Sequence, residues 1–122
     1  MKYESINEYS DEEIMNILYY GTIFELRRVS LSVGEYHQNC RFAQDVCFYL
    51  LNNQDEEVRA NAVLGLSYIA RRFSELNVVK LKMYLAQLNN FNKHNTERVI
   101  YALEDISLYL NERIEWHVDK HN

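Results

Sequence analysis

Proline is absent from this chain, and glycine occurs only three times in 122 residues. So few breakers argue against a sheet joined by tight turns and favour helices throughout. Cysteine is scarce as well. Cys40 and Cys47 lie about two turns apart on one predicted helix, so they cannot bridge each other and are expected as reduced core residues. No apolar run approaches the ~18 residues of a membrane span. The start, Met1-Lys2-Tyr3-Glu4-Ser5, lacks the basic and apolar regions of a signal peptide, so a cytosolic protein with no membrane contact is expected. Positive charge is in deficit, with 13 basic against 18 acidic residues and a net charge of −5. A duplex-binding domain is more often basic. A basic protein partner is therefore favoured over nucleic acid, beside the plainer reading of the acidic excess as a solubility device.

What is present is apolar periodicity. The apolar fraction of 48% excludes a mainly disordered chain, and the length suits one compact domain over residues 1–122. Asp55 caps a segment in which Val58, Ala62, Leu66, Ile69 and Phe73 recur at helical spacing, while Ala62 and Gly65 let a neighbouring helix come close. Ser10-Asp11-Glu12-Glu13 is a capping box, and its helix ends near Tyr20, where Gly21 can turn left-handed. Thr22-Ile23-Phe24-Glu25 repeats the box for a second helix to Val33, before Gly34; one continuous helix over 11–33 is the rival reading. Further helices are expected from about His37 to Asn52, from Val78 to Leu88 and from Asn95 onward. The last carries Val99, Ala102, Leu103, Ile106, Leu110 and Ile114. Residues 1–9 and the tail from Trp116 are expected to fray.

An internal step of about forty residues relates Leu26, Leu66 and Ile106, and likewise Thr22, Ala62 and Ala102. Such a period marks stacked helix pairs. The expected fold is all-α, a HEAT-like α-solenoid of three stacked helix pairs, about six helices in all. Arg41-Phe42-Ala43-Gln44-Asp45-Val46-Cys47, Leu50-Leu51, Asp55-x-Glu57-Val58-Arg59 and Tyr68-Ile69-Ala70-Arg71 resemble the small stand-alone HEAT-repeat proteins of bacteria. Weaker similarity continues through Ala102 to Ile106, so about two thirds of the chain is covered. Two departures stand out: Tyr36 to Phe42 replaces a tryptophan-rich turn, and Arg98-Val99 inverts the earlier Val58-Arg59. The resemblance implies an interaction scaffold with no catalytic residue to carry over. Small proteins of this kind resemble immunity proteins, which neutralise a toxin domain in contact-dependent inhibition.

Candidate chemistry is thin. His117-x-x-x-His121 supplies two imidazoles where zinc needs three or four ligands, and His37 and His94 fall in predicted loops as surface residues or caps. No glycine-rich loop cradles a phosphate. No metal, cofactor or enzyme activity is expected. Ten tyrosines are the compositional excess, and tyrosine suits binding surfaces because it offers large area, a polar tip and few rotatable bonds. Tyr19, Tyr20, Tyr49 and Tyr84 are expected to fill gaps between helices. Tyr68 shares a face with Asn61 and Arg72. Under the forty-residue step, Tyr101, Asp105, Leu108 and Glu112 fall on the matching face of the last helix, and Glu25 and Arg28 on that of the second. Glu104-Asp105 lies mid-helix, where capping gives no reason for it, and is expected to meet lysines or arginines of a partner. These ten residues are the candidate partner-binding set. The functional reading is a non-enzymatic module that binds one basic toxin domain, a nuclease being one class with such a surface, and neutralises it by occlusion. The alternatives are a scaffold or adaptor without inhibitory role and a HEAT-like nucleic-acid-processing enzyme.

Overall fold

The computed structural model describes residues 6–117. Among them lie six helices and no strand: α1 Asp11–Tyr20, α2 Ile23–Tyr36, α3 Cys40–Leu50, α4 Glu56–Phe73, α5 Val78–Leu85 and α6 Lys93–Leu110. The all-α expectation and its helix number are met. Each helix starts at a side-chain cap: Ser10, Thr22, Asn39, Asp55, Asn77 and Asn92 each accept the backbone N–H three residues on. Such caps satisfy amide donors that the first turn leaves unpaired. Both expected capping boxes are complete, with Glu13 returning to the Ser10 N–H and Glu25 to the Thr22 N–H.

Residues 11–33 form two helices, because α1 stops at Tyr20 and Thr22 starts α2 afresh. Gly21 is not left-handed as expected. It is extended, at φ −69° and ψ 157°, and its N–H still closes onto the Ile17 carbonyl. A Cβ there would stand 2.5 Å from that oxygen. Nor does α2 end before Gly34; it runs on to Tyr36. Gly34 instead lies against α4, where a Cβ would meet the Gly65 carbonyl at 2.6 Å. A Cβ on Gly65 would meet the Ser30 carbonyl at 2.6 Å and Cys47 Sγ at 2.9 Å. The two helices therefore cross with backbone facing backbone, and Gly65 plays the role its sequence context suggests.

Polar ties at both ends set the helix directions. Asp55, at the start of α4, holds Arg27 near the start of α2, while Arg71 near the end of α4 holds Glu35 near the end of α2. Asn95, early in α6, reaches Glu56 and Glu57, early in α4. Thus α2, α4 and α6 run the same way in one layer, with α4 in the middle. The Asn77 N–H at the head of α5 donates to Gln44 early in α3, and Asn52 past the end of α3 donates to the Tyr84 hydroxyl, so α3 and α5 also run together. Val58, Val63, Leu66, Ile69 and Ala70 of α4 are all 0% exposed, as its central place requires. Phe73, expected in the same stripe, is only half-buried because α4 ends there.

Several boundaries differ from expectation. α3 is shorter at both ends, since Asn39 caps it and Leu51 closes it. α5 ends at Leu85, although Leu88 stays buried. α6 begins earlier, because Asn92 and not Asn95 is the cap, and Asn95 is wholly buried. The caps of α2, α4 and α6 are 33 and 37 residues apart, shorter than forty, since the connections differ in length. At the two ends expected to fray, Trp116 and Asn7 make contacts with the rest of the fold. Trp116 Nε1 donates to the Leu88 carbonyl at 3.3 Å, its ring meets Phe91 edge-on, and Ser32 Oγ donates to the Asn7 carbonyl. Ile114 is buried, but beyond the helix expected to carry it. No helix among the described residues is long and apolar enough to cross a membrane.

In an ordinary helix Gly→Ala is stabilising. Here Gly65→Ala is expected to destabilise by about 1–3 kcal/mol, as over-packed cores do. The measurement is the urea midpoint, and an unchanged or higher value would contradict the close crossing.

Candidate partner-binding face

A chain of polar contacts joins the layer helices near their starts. The Arg27 guanidinium makes two parallel hydrogen bonds to Asp55, each 2.9 Å, and Asp55 also accepts the Val58 N–H at 3.0 Å. Paired guanidinium and carboxylate groups in this fork geometry are among the stronger surface interactions. Chiefly through that hydrogen bond, the Asp55 carboxyl is held below its ordinary value of about 3.8, with the Val58 amide and the Arg27 and Arg59 charges adding and burial opposing. Asn61 of α4 donates to the Arg27 carbonyl at 2.7 Å and accepts from Arg98 of α6. Arg98 also donates to Asn95 at 2.9 Å and to Glu57 at 3.3 Å. At the other end of the layer, Arg71 pairs with Glu35 at 2.9 Å and lies over the Tyr68 ring, 5.1 Å from its centroid.

This seam changes the place of several sequence candidates. Asn61 is buried and joins α2 to α6, so its amide is spent inside the fold. Arg72 donates to the Gly34 and His37 carbonyls, each at 2.8 Å, closing the end of α2. Glu25 completes a capping box while remaining exposed. Arg28 is exposed on α2, and Tyr68 is half-buried. Glu112 lies just past α6 and pairs with Lys82 of α5 at 3.3 Å.

The remaining four candidates come together. Tyr101, Glu104, Asp105 and Leu108 share one exposed stripe of α6, with Tyr101 62% and Leu108 74% exposed. Glu97, one turn before Tyr101, completes the stripe. Sequence reasoning passed over it, although its four-residue spacing from Tyr101 was a usable signal.

The tyrosine expectation needs correction. Tyr19, Tyr20 and Tyr49 fill no gap; they are exposed, Tyr20 by 86%. They fall on the solvent side at or near helix ends, where no neighbour covers them. Tyr84 does fill a gap, stacking on Phe48 at 5.6 Å. His37 is more than a loop residue. Its Nδ1 accepts the Asn39 N–H, leaving Nε2 to reach Asp11 at 2.6 Å, which ties the end of α2 to the start of α1.

Cys47 is wholly buried, and burial pushes its thiol well above the usual range, which denies it nucleophilic thiolate character. Cys40 is only half-buried, contrary to expectation, and accepts from Gln44 at 3.2 Å. Among the described residues, no group of three or more His, Cys, Asp or Glu is placed to hold a metal ion. His121, the second half of the His117 pair, lies outside those residues.

No family model matches this chain, and no curated protein does. Among solved structures, a chain of the CDI complex from Cupriavidus taiwanensis LMG 19424 is similar, with a TM-score of 0.73 at 21% identity. The match covers 89% of this chain and 97% of that one. At that identity the likeness establishes a shared fold from nearly end to end.

The lowered carboxyl of Asp55 implies a direction for acid stability. Its contribution is complete above the ordinary carboxylate range and is lost as pH falls through the lower folded-state value. Asp55→Asn, which keeps a capping side chain but no charge, is expected to be about 1–2 kcal/mol less stable near neutral pH. That deficit should shrink in urea titrations carried below about pH 3.8; a pH-independent deficit would contradict the ionic role.

Proposed function

We propose that this chain is a non-enzymatic immunity-type protein, a HEAT-like helical-repeat module. It binds one cognate toxin domain in the cytoplasm and neutralises it by covering its active or substrate-binding surface. The observation that carries the reading is the match to a chain of a CDI complex, which spans both chains almost completely. CDI is read here as contact-dependent inhibition, in which a delivered toxin is held inactive by a dedicated partner. The net charge of −5 suits a basic toxin, a nuclease being one such class. The non-enzymatic part of the reading draws support from the seam. Its titratable groups are ion-paired struts rather than a nucleophile beside a base.

The test is co-expression with any toxin domain found encoded beside its gene. The chain should restore growth to cells making that domain and co-purify with it. Growth arrest undiminished by the chain, with no complex recovered, would end the reading. Within such a complex, Tyr101→Ala is expected to cost more than about 1 kcal/mol of binding by calorimetry, as buried aromatic anchors do. Its folding midpoint should stay near wild type, because the ring is 62% exposed in the free chain.

A further inference from the structure

Among the described residues α6 is the outer helix of its layer. Val99, Ala102, Leu103 and Ile106 face inward, and no other described helix packs against the opposite side. That open side has an apolar centre, Tyr101 and Leu108, set among Glu97, Glu104 and Asp105. Carboxylates elsewhere are largely occupied. Asp11 meets His37, Asp55 meets Arg27, Glu35 meets Arg71 and Glu57 meets Arg98, while Glu13 and Glu25 complete capping boxes. Glu97, Glu104 and Asp105 make no side-chain hydrogen bond or ion pair among the described residues. Arg98, the nearest cation in sequence, is turned onto Asn61 and Glu57 of α4. Of the other carboxylates without such a bond, Glu8 and Glu12 lie at or before the start of α1, and Asp45 and Glu75 line one groove together with Arg41 and Lys80, which balance their charge.

Helix electrostatics give Glu104 and Asp105 no support, since they lie in the second half of α6, toward its negative end. Crowding like charges around exposed apolar side chains is a local cost that an approaching cation removes. A second copy of this chain would set carboxylate against carboxylate, and a nucleic-acid phosphate would be repelled in the same way.

We propose that this face of α6 docks an arginine- and lysine-rich protein surface. Guanidinium groups pair with Glu104 and Asp105 and stack on the Tyr101 ring, while Leu108 closes the contact against water. The interface thus lies on α6 alone, whereas the sequence pattern had placed it across the faces of three helices. The inference rests on the immunity-type reading for the partner's identity, but its chemistry can be probed separately.

Two measurements separate the two claims. In the first, an oligoarginine peptide is titrated into the isotope-labelled chain and followed by NMR. Shifts should concentrate between Glu97 and Leu108 and fade in the Glu104→Gln, Asp105→Asn double variant. Both sites are exposed and make no ion pair among the described residues, so that variant should keep its helical circular dichroism. Shifts spread over Glu12, Asp45 and Glu75, or unchanged in the variant, would overturn the inference. So would a doubled mass by light scattering with the α6 signals hidden. In the second, the co-expressed toxin domain is bound to both forms at several salt concentrations. The double variant should bind roughly ten-fold more weakly and lose most of the salt dependence. Unchanged binding would overturn the α6 assignment and leave the immunity reading standing. Peptide shifts on α6 with no capture of the toxin domain would uphold the cationic docking face and overturn the immunity reading.

Discussion

The contact on which the rest of the structure depends is the crossing of α2 and α4 at Gly34 and Gly65. Neither position has room for a methyl group, because the facing carbonyls of Gly65 and Ser30 stand where the Cβ atoms would be. Glycine inside a helix costs about 1 kcal/mol relative to alanine, so two of them facing each other mark a packing requirement. Their contact brings the two backbones close enough for Cys47 of α3 to seal the same spot, with its thiol directed at the Ser30 carbonyl. With α2 held this near, α4 becomes the middle of a parallel layer and its apolar side chains are covered from several directions.

Burying the centre of α4 leaves its polar residues with internal tasks. Asn61 could have been a surface amide; between α2 and α6 it becomes a bridge, donating to one and accepting from the other. The Arg27–Asp55 pair does the same for the entry of α4, and Arg98 with Glu57 and Asn95 for the entry of α6. Once these groups are engaged, the seam offers a partner less than its composition suggests. What stays available is the flank of α6 turned away from α4. Among the described residues no helix covers that side, and it combines aromatic area with unbalanced negative charge. Polar groups that hold the layer together are thus separate from the α6 carboxylates, which make no such bond among the described residues.

Much of the fold was legible because local signals agreed with one another. Ser10 and Thr22 were recognisable as caps from the glutamate three places on, and Asp55 from its type and the acidic first turn and apolar stripe that follow; all three cap as read. Gly65 was legible as a close-approach site, since a small residue on a buried stripe has few other purposes. Gly34 was misread as a stop: the same residue serves to end a helix or to admit a neighbour, and only the position of α4 decides between them. The early start of α6 was hidden in a run of polar residues, where Asn92 and Asn95 are equally good caps by type. Which candidates on the face were already in use was not legible at all. The occupation of Asn61 and Arg72 depends on carbonyls 34 and 38 residues away in sequence. By contrast Tyr101, Asp105 and Leu108 stay exposed as their helical phase indicates, because among the described residues no other helix covers that side of α6.

The central claim is that the layer of α2, α4 and α6 is a rigid support and that its free outer helix meets the partner. Amide hydrogen exchange on the chain, alone and in complex with the toxin domain proposed as its partner, tests this most directly. Amides of α4 should be protected in both states, and exchange across α6 should slow on complex formation. Rapid exchange through α4 in the free chain, or new protection confined to α1, α3 and α5, would contradict the account.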